Sequence, residues 1–369
     1  MGAGGQPRAD PQLTAPLRLR VATFNLENLD DRPGLDPPLA ARIDVLRPQL
    51  LRLAADVLCL QEVHGQKRGR SARALLALAA LLDGTPYADF ACASTRSQGR
   101  RGAAGWVADI HNLVVLSRWP ILHQEEIRGR LMVPPTHHPI ASAGAPQPIL
   151  WERPLLHVTI ALPDGARLEV INLHLRAPLA TALPGQKEAA FSWRTVPAWA
   201  EGFFLSTVKR AGQALEARLL VDRLLDDEPH ARIVVAGDLN AEDREMPVRL
   251  LAAETTDTGN GALAARSLLP VARSLPQDQR FTVVHAGRRV MLDHILISRA
   301  LLGGLRAVEV HNELLADEAH AVAGIRHPTE SSHAPLVVEL ALTAPSGPAE
   351  HVVRWSDESG ADGVAGRST

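Results

Sequence analysis

The chain has 369 residues, a hydrophobic share of 46%, an aromatic share of 4% and a formal net charge of −2. That apolar content suffices for a packed core, drawn from Leu, Val and Ala rather than from rings, while the near-zero charge excludes a global positive field that would draw the protein to nucleic acid. Its two cysteines exclude a disulfide framework, and Cys59 and Cys92 are expected as buried free thiols.

In chain order, residues 1–16 (MGAGGQPRADPQLTAP) have no apolar h-region and lack the Ser or Thr of a myristoylation signal, so they read as a flexible segment ahead of a soluble, cytoplasmic protein. No later run is long enough in apolar residues to span a membrane. Residues 17–342 read as one domain in which strand-like and helical runs alternate, the pattern of an α/β protein. The first run, LRLRVATF, ends in the polar island TFNLEN with Asn25, and a helix over Ile43–Ala54 follows. The run ADVLCL ends in QEVH with Glu62, ahead of a helix over Ala72–Leu82. Asn112–Arg118 (NLVVLSR) is another strand, and the run LEVI leads into NLHL with His174. The longest helix is expected over Phe203–Leu225, with Leu205, Val208, Leu215, Leu219 and Leu224 on its buried face. Lys209, Arg210, Glu216, Arg218, Asp222 and Arg223 are expected on its solvated face. The run ARIVVA then enters GDLN with Asp238 and Asn240, LDH carries Asp293, and SSH with His333 precedes HAPLVVEL. Three long loops, 94–109 (rich in Gly and Arg), 133–148 (rich in Pro, Ala and His) and 177–202 (with Pro, Gly and two Trp), are placed to tune substrate choice. The tail 343–369 is rich in Gly, Ser and charge and reads as disordered.

Polar residues at strand ends are where a rigid sheet can aim them at one point. In their order and wording, above all GDLN and LDHIL, these islands resemble the endonuclease/exonuclease/phosphatase superfamily, the deoxyribonuclease-I-like phosphoesterases. The resemblance runs from about Leu17 to Leu342. It implies a four-layer α/β sandwich of two packed mixed β-sheets flanked by helices, and it implies phosphoester hydrolysis dependent on Mg²⁺ or Mn²⁺.

The residue chemistry suits that reaction. Glu62 offers the hard anionic oxygen that Mg²⁺ prefers, and Asn25 a neutral oxygen beside it, so both are expected at the metal. His333 is suited to act as general base on water, with Asp293 holding its imidazole in one tautomer. His174 is expected to donate a hydrogen bond to phosphate or a proton to the intermediate. Asp238 is expected to orient water or to ligate a second metal, and Asn240 to polarise the phosphate. His294, next to Asp293, is expected on the opposite face of its strand, away from the reaction. Where many relatives carry Ser-Asp-His, this chain has Ser331-Ser332-His333, which removes a carboxylate that often helps bind metal.

For the substrate, Lys67, Arg68, Arg70 and Arg73 follow Glu62, Arg96, Arg100 and Arg101 lie in the next loop, and Arg288 and Arg289 precede the LDH island. Local positive loops of this kind suit a nucleic-acid backbone, with Arg68 and Arg70 as phosphate contacts and Arg153 as another. The leading expectation is an endonuclease or exonuclease acting on DNA or RNA. The alternatives are a phosphatase or phosphodiesterase on a phosphoinositide, phospholipid or nucleotide, and a weakly active binding module. Polar, Pro-rich loops speak against the lipid version.

Overall fold

A computed structural model describes residues 16–69, 72–97, 106–140, 145–313, 315–319 and 329–343. Two six-stranded mixed sheets pack face to face, each with a single parallel pair at its centre. In the first, Leu17–Leu29 runs parallel to Val57–Val63. Leu336–Leu342 and then Leu305–Val310 extend it on one side, and Asn112–Ser117 and then Ala91–Ser94 on the other. In the second, Arg167–His174 runs parallel to Arg232–Asp238, flanked by Asp293–Ser298 and Leu268–Pro270 on one side and by Leu155–Ala161 and Ile121–Ile127 on the other.

The strands read as near-continuous apolar runs because both faces of each central strand are buried. Alternate residues fill two different layers. Leu19, Val21, Val57, Cys59, Val115, Val158, Val170, Val234 and Ile295 meet between the sheets. Ala22, Phe24, Leu58 and Leu60 point outward against the helices Leu39–Leu53 and Leu76–Leu82. Ile171, Leu173, Ile233 and Val235 point outward against the 32-residue helix Val196–Asp227. The result is the four-layer sandwich.

A buried polar bridge crosses the apolar layer between the sheets. Asn172, fully buried, sends its Nδ2 from the second sheet to two carbonyls of the first, Leu60 O at 3.0 Å and Val114 O at 2.9 Å. Gln61 answers from the first sheet, its Nε2 donating to Asn172 Oδ1 at 2.8 Å and to Thr23 Oγ1 at 3.0 Å.

Several elements depart from the sequence expectation. The first helix begins at Leu39 and the second at Leu76, and the long helix begins at Val196, with Thr195 Oγ1 capping Ala198 N. Part of the 177–202 loop is therefore helix, and part is a small hairpin of Lys187–Ala189 and Ser192–Trp193. Lys209, Arg210, Glu216 and Arg218 are buried rather than solvated, and of that charged set Arg223 is exposed. Glu216 accepts from the backbone N–H groups of Gly129, Arg130 and Leu131 and from Trp151 Nε1, so it fastens an incoming loop to the helix. Gly212 leaves room for that tryptophan, since a Cβ there would lie 2.5 Å from Trp151 Cζ3. Helical periodicity cannot distinguish such a face from a solvated one, because each charge is satisfied by a partner distant in sequence. Cys59 is buried as expected, but Cys92, on a sheet-edge strand, is exposed. The segments 1–15 and 344–369 lie outside the described residues.

Asn172→Ala should be costly, because it strips Leu60 O, Val114 O and Gln61 of buried partners. The expected loss is about 3 kcal/mol of unfolding free energy, read as a fall in denaturant midpoint at unchanged m-value. A change below about 1 kcal/mol, the scale of a single net hydrogen bond, would show that the bridge does not hold the sheets.

Candidate active site

Each parallel pair ends at the same rim of the sandwich. In the second sheet His174, Asp238 and Asp293 are direct neighbours across three strands, with Asp238 paired to both of the others. In the first, Asn25 is paired with Gln61, and Glu62 is the next residue. Strand geometry thus delivers five of the expected residues to one place, and the turn before Leu336–Leu342 adds His333.

The backbone there bends to aim these groups. Glu62 and Asn240 both adopt positive φ, +58° and +47°, as do Glu27, Asn28 and His111 around them. Positive φ is uncommon for residues with a side chain, and such strain collects at functional sites. Gly237 has φ +145°, and a Cβ there would sit 1.8 Å from Leu173 O, so glycine alone allows this close approach of the two central strands.

Asp238 is the hub. Its Oδ2 accepts from Asn25 Nδ2 at 3.1 Å and Asn240 Nδ2 at 3.1 Å, and lies 3.3 Å from His174 Nε2 and 4.0 Å from His333 Nε2. Its Oδ1 accepts from Asn240 N at 2.8 Å. Glu62 faces it: Oε1 is 3.4 Å from Asn25 Nδ2 and 3.6 Å from His174 Nε2, while Oε2 accepts from Asn28 N at 3.0 Å. Asn25 Oδ1 accepts from Glu27 N at 2.9 Å, so Asn25 turns its N–H groups to the carboxylates and its oxygen away. His333 Nδ1 meets Asp293 Oδ2 at 2.8 Å, an arrangement that fixes the tautomer and leaves Nε2 on the side of Asp238.

The protonation states follow from burial and from crowded carboxylates. His174 is held well below its ordinary value by burial, with Arg153 and His111 adding to the effect, so it is a neutral N–H donor. Burial opposes charge on His333, but Asp293, Asp238 and Glu62 outweigh it and push its pKa up to about 10. Asp238 is pushed up to about 7, first by burial and then by Asp293 and Glu62, against the pull of His333.

Arg153 is half-buried beside these groups, donating to Leu175 O at 2.9 Å and to His111 Nδ1 at 3.4 Å. His294 faces away, its Nε2 against Ala241 O at 2.8 Å. Arg68 is exposed beyond Glu62, and Arg70 lies outside the described residues, as do Arg100 and Arg101. Several other expected basic groups already have partners: Arg73 pairs with Asp109, Arg288 with Glu242, and Arg289 stacks on Phe281. Ser332 is buried, and its N–H donates to Glu27 Oε2 at 2.6 Å. Glu330 accepts from Thr329 Oγ1 at 3.2 Å.

Some site residues were not anticipated. His111 packs between His64 and His174, with ring centroids 5.5 and 6.1 Å away, and its Nε2 lies 3.2 Å from Asn28 Oδ1. Burial and Arg153 lower its pKa to about 4. Glu27 and Asn28 sit two and three residues after Asn25, and their adjacency to TFN was the available signal. His111 directly precedes the Asn112 strand, yet a lone histidine at a strand start carries no pattern.

The donor set fits a hard divalent cation. One ligand atom from each of Asp238, Asp293 and His333 lies within 4.8 Å of the others, Glu62 borders the same space, and Asp293 Oδ1 is buried with no hydrogen-bond partner among the described residues. Oxygen donors of this kind are what Mg²⁺ and Mn²⁺ take.

A family model described as "Endonuclease/Exonuclease/phosphatase family" matches residues 22–314, a span that ends before His333. No curated protein matches the chain. Among solved structures the chain is similar to an endonuclease/exonuclease/phosphatase from Beutenbergia cavernae, at 21% identity over 88% of this chain and 72% of that one, with a TM-score of 0.50. It is similar also to an endonuclease/exonuclease/phosphatase family protein from Bacteroides thetaiotaomicron (14% identity, 89% and 96% covered, TM-score 0.52) and to TDP2 from C. elegans (14%, 88% and 75%, 0.50). At these identities the likeness is one of fold.

Cation binding among these carboxylates should release protons. Asp238 near 7 and His333 near 10 are both partly or wholly protonated at pH 7.5 without metal, and a cation favours the deprotonated forms. Affinity for Mg²⁺ or Mn²⁺ should therefore weaken as pH falls through 7. Calorimetric heats should differ between buffers of different ionisation enthalpy, and buffer-independent heats would contradict the assignment.

Proposed function

Because the chain belongs to the endonuclease/exonuclease/phosphatase family, we propose that it is a divalent-metal-dependent phosphodiester hydrolase with nucleic acid as its substrate class. The observation that carries the reaction is the convergence at one rim of the sandwich of Glu62, Asp238 and the Asp293–His333 pair, with a neutral His174 and with Arg153 beside them.

Glu62 and Asp238 would hold Mg²⁺ or Mn²⁺, which supplies Lewis-acid polarisation of the phosphate and neutralises its charge. Asn25 orients both carboxylates through its N–H groups. A cation held there would offset the carboxylates that raise the pKa of His333. His333 Nε2, on the side of Asp238, is placed to accept the proton of the attacking water while Asp293 stabilises the imidazolium that forms. Asp238, on the same side, orients that water. The Nε2–H of His174 donates to a phosphate oxygen as charge builds on it, and Arg153 adds a fixed positive charge. Asn240, whose Nδ2 donates to Leu175 O at 3.2 Å and to Asp238 Oδ2 at 3.1 Å, holds Asp238 in place and reaches phosphate only by giving up one of these bonds.

Lys67 and Arg68, exposed just beyond Glu62, support nucleic acid over a small phosphoester, because they extend positive charge away from the reacting phosphate. A second reading, a phosphodiesterase at a lipid surface, is favoured by the loop that leaves the site after His174. This segment is not polar throughout: Leu179 and Phe191, the latter at the hairpin tip, are 67% and 94% exposed, and Val196 and Trp199 in the first turn of the long helix are 75% and 46% exposed.

Salt dependence separates the two. Each phosphate contact contributes roughly −0.7 to −0.9 to the slope of log affinity against log salt. A Lys67→Ala, Arg68→Ala double variant should flatten the slope for DNA or RNA by roughly 1–2 while hydrolysing a small diester as the wild type does. A shallow slope that the double variant leaves unchanged would overturn the nucleic-acid reading. Loss of vesicle-phospholipid hydrolysis on Phe191→Asp, with small-diester turnover intact, would then establish the second.

A further inference from the structure

We propose that His123, Glu125 and His157 form a second metal site, for a borderline transition-metal ion such as Zn²⁺, on the outer face of the second sheet. One ligand atom from each side chain lies within 4.8 Å of the other two. Register explains the cluster. Ile121–Ile127 is the edge strand, and in its antiparallel pairing with Leu155–Ala161 Glu125 stands opposite His157 and His123 opposite Thr159. Leu156, Val158 and Ile160 fill the layer between the sheets, so alternation sends His157 and Thr159 to the other face.

An independent observation concerns how His157 is held. The residue is 5% exposed, and its Nε2 meets Glu169 Oε2 at 2.8 Å. Thr159 Oγ1 donates to the same oxygen at 2.7 Å. That carboxylate fixes the tautomer with the proton on Nε2 and the lone pair on Nδ1, and Nδ1 is buried with no hydrogen-bond partner among the described residues. A carboxylate behind an imidazole whose other nitrogen is free is the outer-shell arrangement of histidine metal ligands. His123 is exposed and its ring centroid is 6.0 Å from that of His157, leaving an open side for entry. Glu125 Oε1 is engaged by Arg130, which leaves Oε2 for the ion. Two imidazoles and one carboxylate select a zinc-like ion rather than Mg²⁺ or Ca²⁺, with water completing the coordination.

The site is distinct from the phosphodiesterase centre and does not depend on that reading. The test is a Zn²⁺ titration of the chelator-stripped full chain against a chromophoric competitor, with Co²⁺ absorption in the visible as a second readout. The wild type should bind an equivalent of Zn²⁺ that Glu62→Gln retains and that His123→Ala loses, together with its Co²⁺ band. Glu169→Gln should weaken that equivalent roughly 10- to 100-fold. His123 and Glu62 are not buried core groups, so folding of both variants is checked by circular dichroism. Unchanged stoichiometry and affinity in His123→Ala, or loss of the equivalent in Glu62→Gln, would overturn the proposal.

Discussion

The structure depends on a buried amide bridge across a largely apolar interface between the sheets. Two apolar sheet faces can slide on one another at little cost, because dispersion and hydrophobic burial are non-directional. Hydrogen bonds are directional, and Asn172 accepts only the spacing at which Leu60 O and Val114 O both lie about 3 Å away. Gln61 closes the bridge from the opposite sheet. These residues stand immediately beside Glu62 and two positions before His174, so the bridge that sets the sheets' register also sets the gap between the two halves of the site.

Above that bridge the chain crowds carboxylates together. Asp238, Asp293 and Glu62 share the site with one histidine able to become cationic; burial and the neighbouring carboxylates push Asp238 up to about 7, and the carboxylates push His333 up to about 10. Arg153, nearby, donates to Leu175 O and to His111 Nδ1. The positive φ angles of Glu62 and Asn240 point the same way, since local backbone strain persists only where surrounding structure enforces it. A protein optimised for stability alone would replace such a cluster with apolar residues.

Much of this was legible in the sequence because strand ends turn position into aim. The islands at Asn25, Glu62, His174, Asp238, Asp293 and His333 follow or precede apolar runs, and a sheet brings such ends to one rim irrespective of their separation in the chain. What escaped was whatever depends on partners across the fold. Glu216 looks like a surface acid in its helix and is instead a buried acceptor for three loop N–H groups and Trp151. Asn25 stands at the site, and the turn that gives its Oδ1 a hydrogen bond from Glu27 N at 2.9 Å could not be read from the island alone. His111 has no pattern around it, and the apolar exposure of the loop after His174 was masked by its Pro and Gly content. The His123–Glu125–His157 cluster was invisible for the same reason: its members are juxtaposed only by antiparallel register.

The most direct test of the catalytic account is the hydrolysis rate of bis(p-nitrophenyl) phosphate, followed for wild type and Glu62→Gln across a titration of Mg²⁺ and Mn²⁺. A small diester reports the reaction without dependence on the outer arginines or the apolar loop. The account predicts saturable metal-dependent turnover by the wild type, abolished by excess EDTA, and a loss of at least roughly 100-fold in Glu62→Gln, the scale on which removing one transition-state charge contact acts. Turnover that survives EDTA, or a Glu62→Gln variant as fast as wild type, would contradict it.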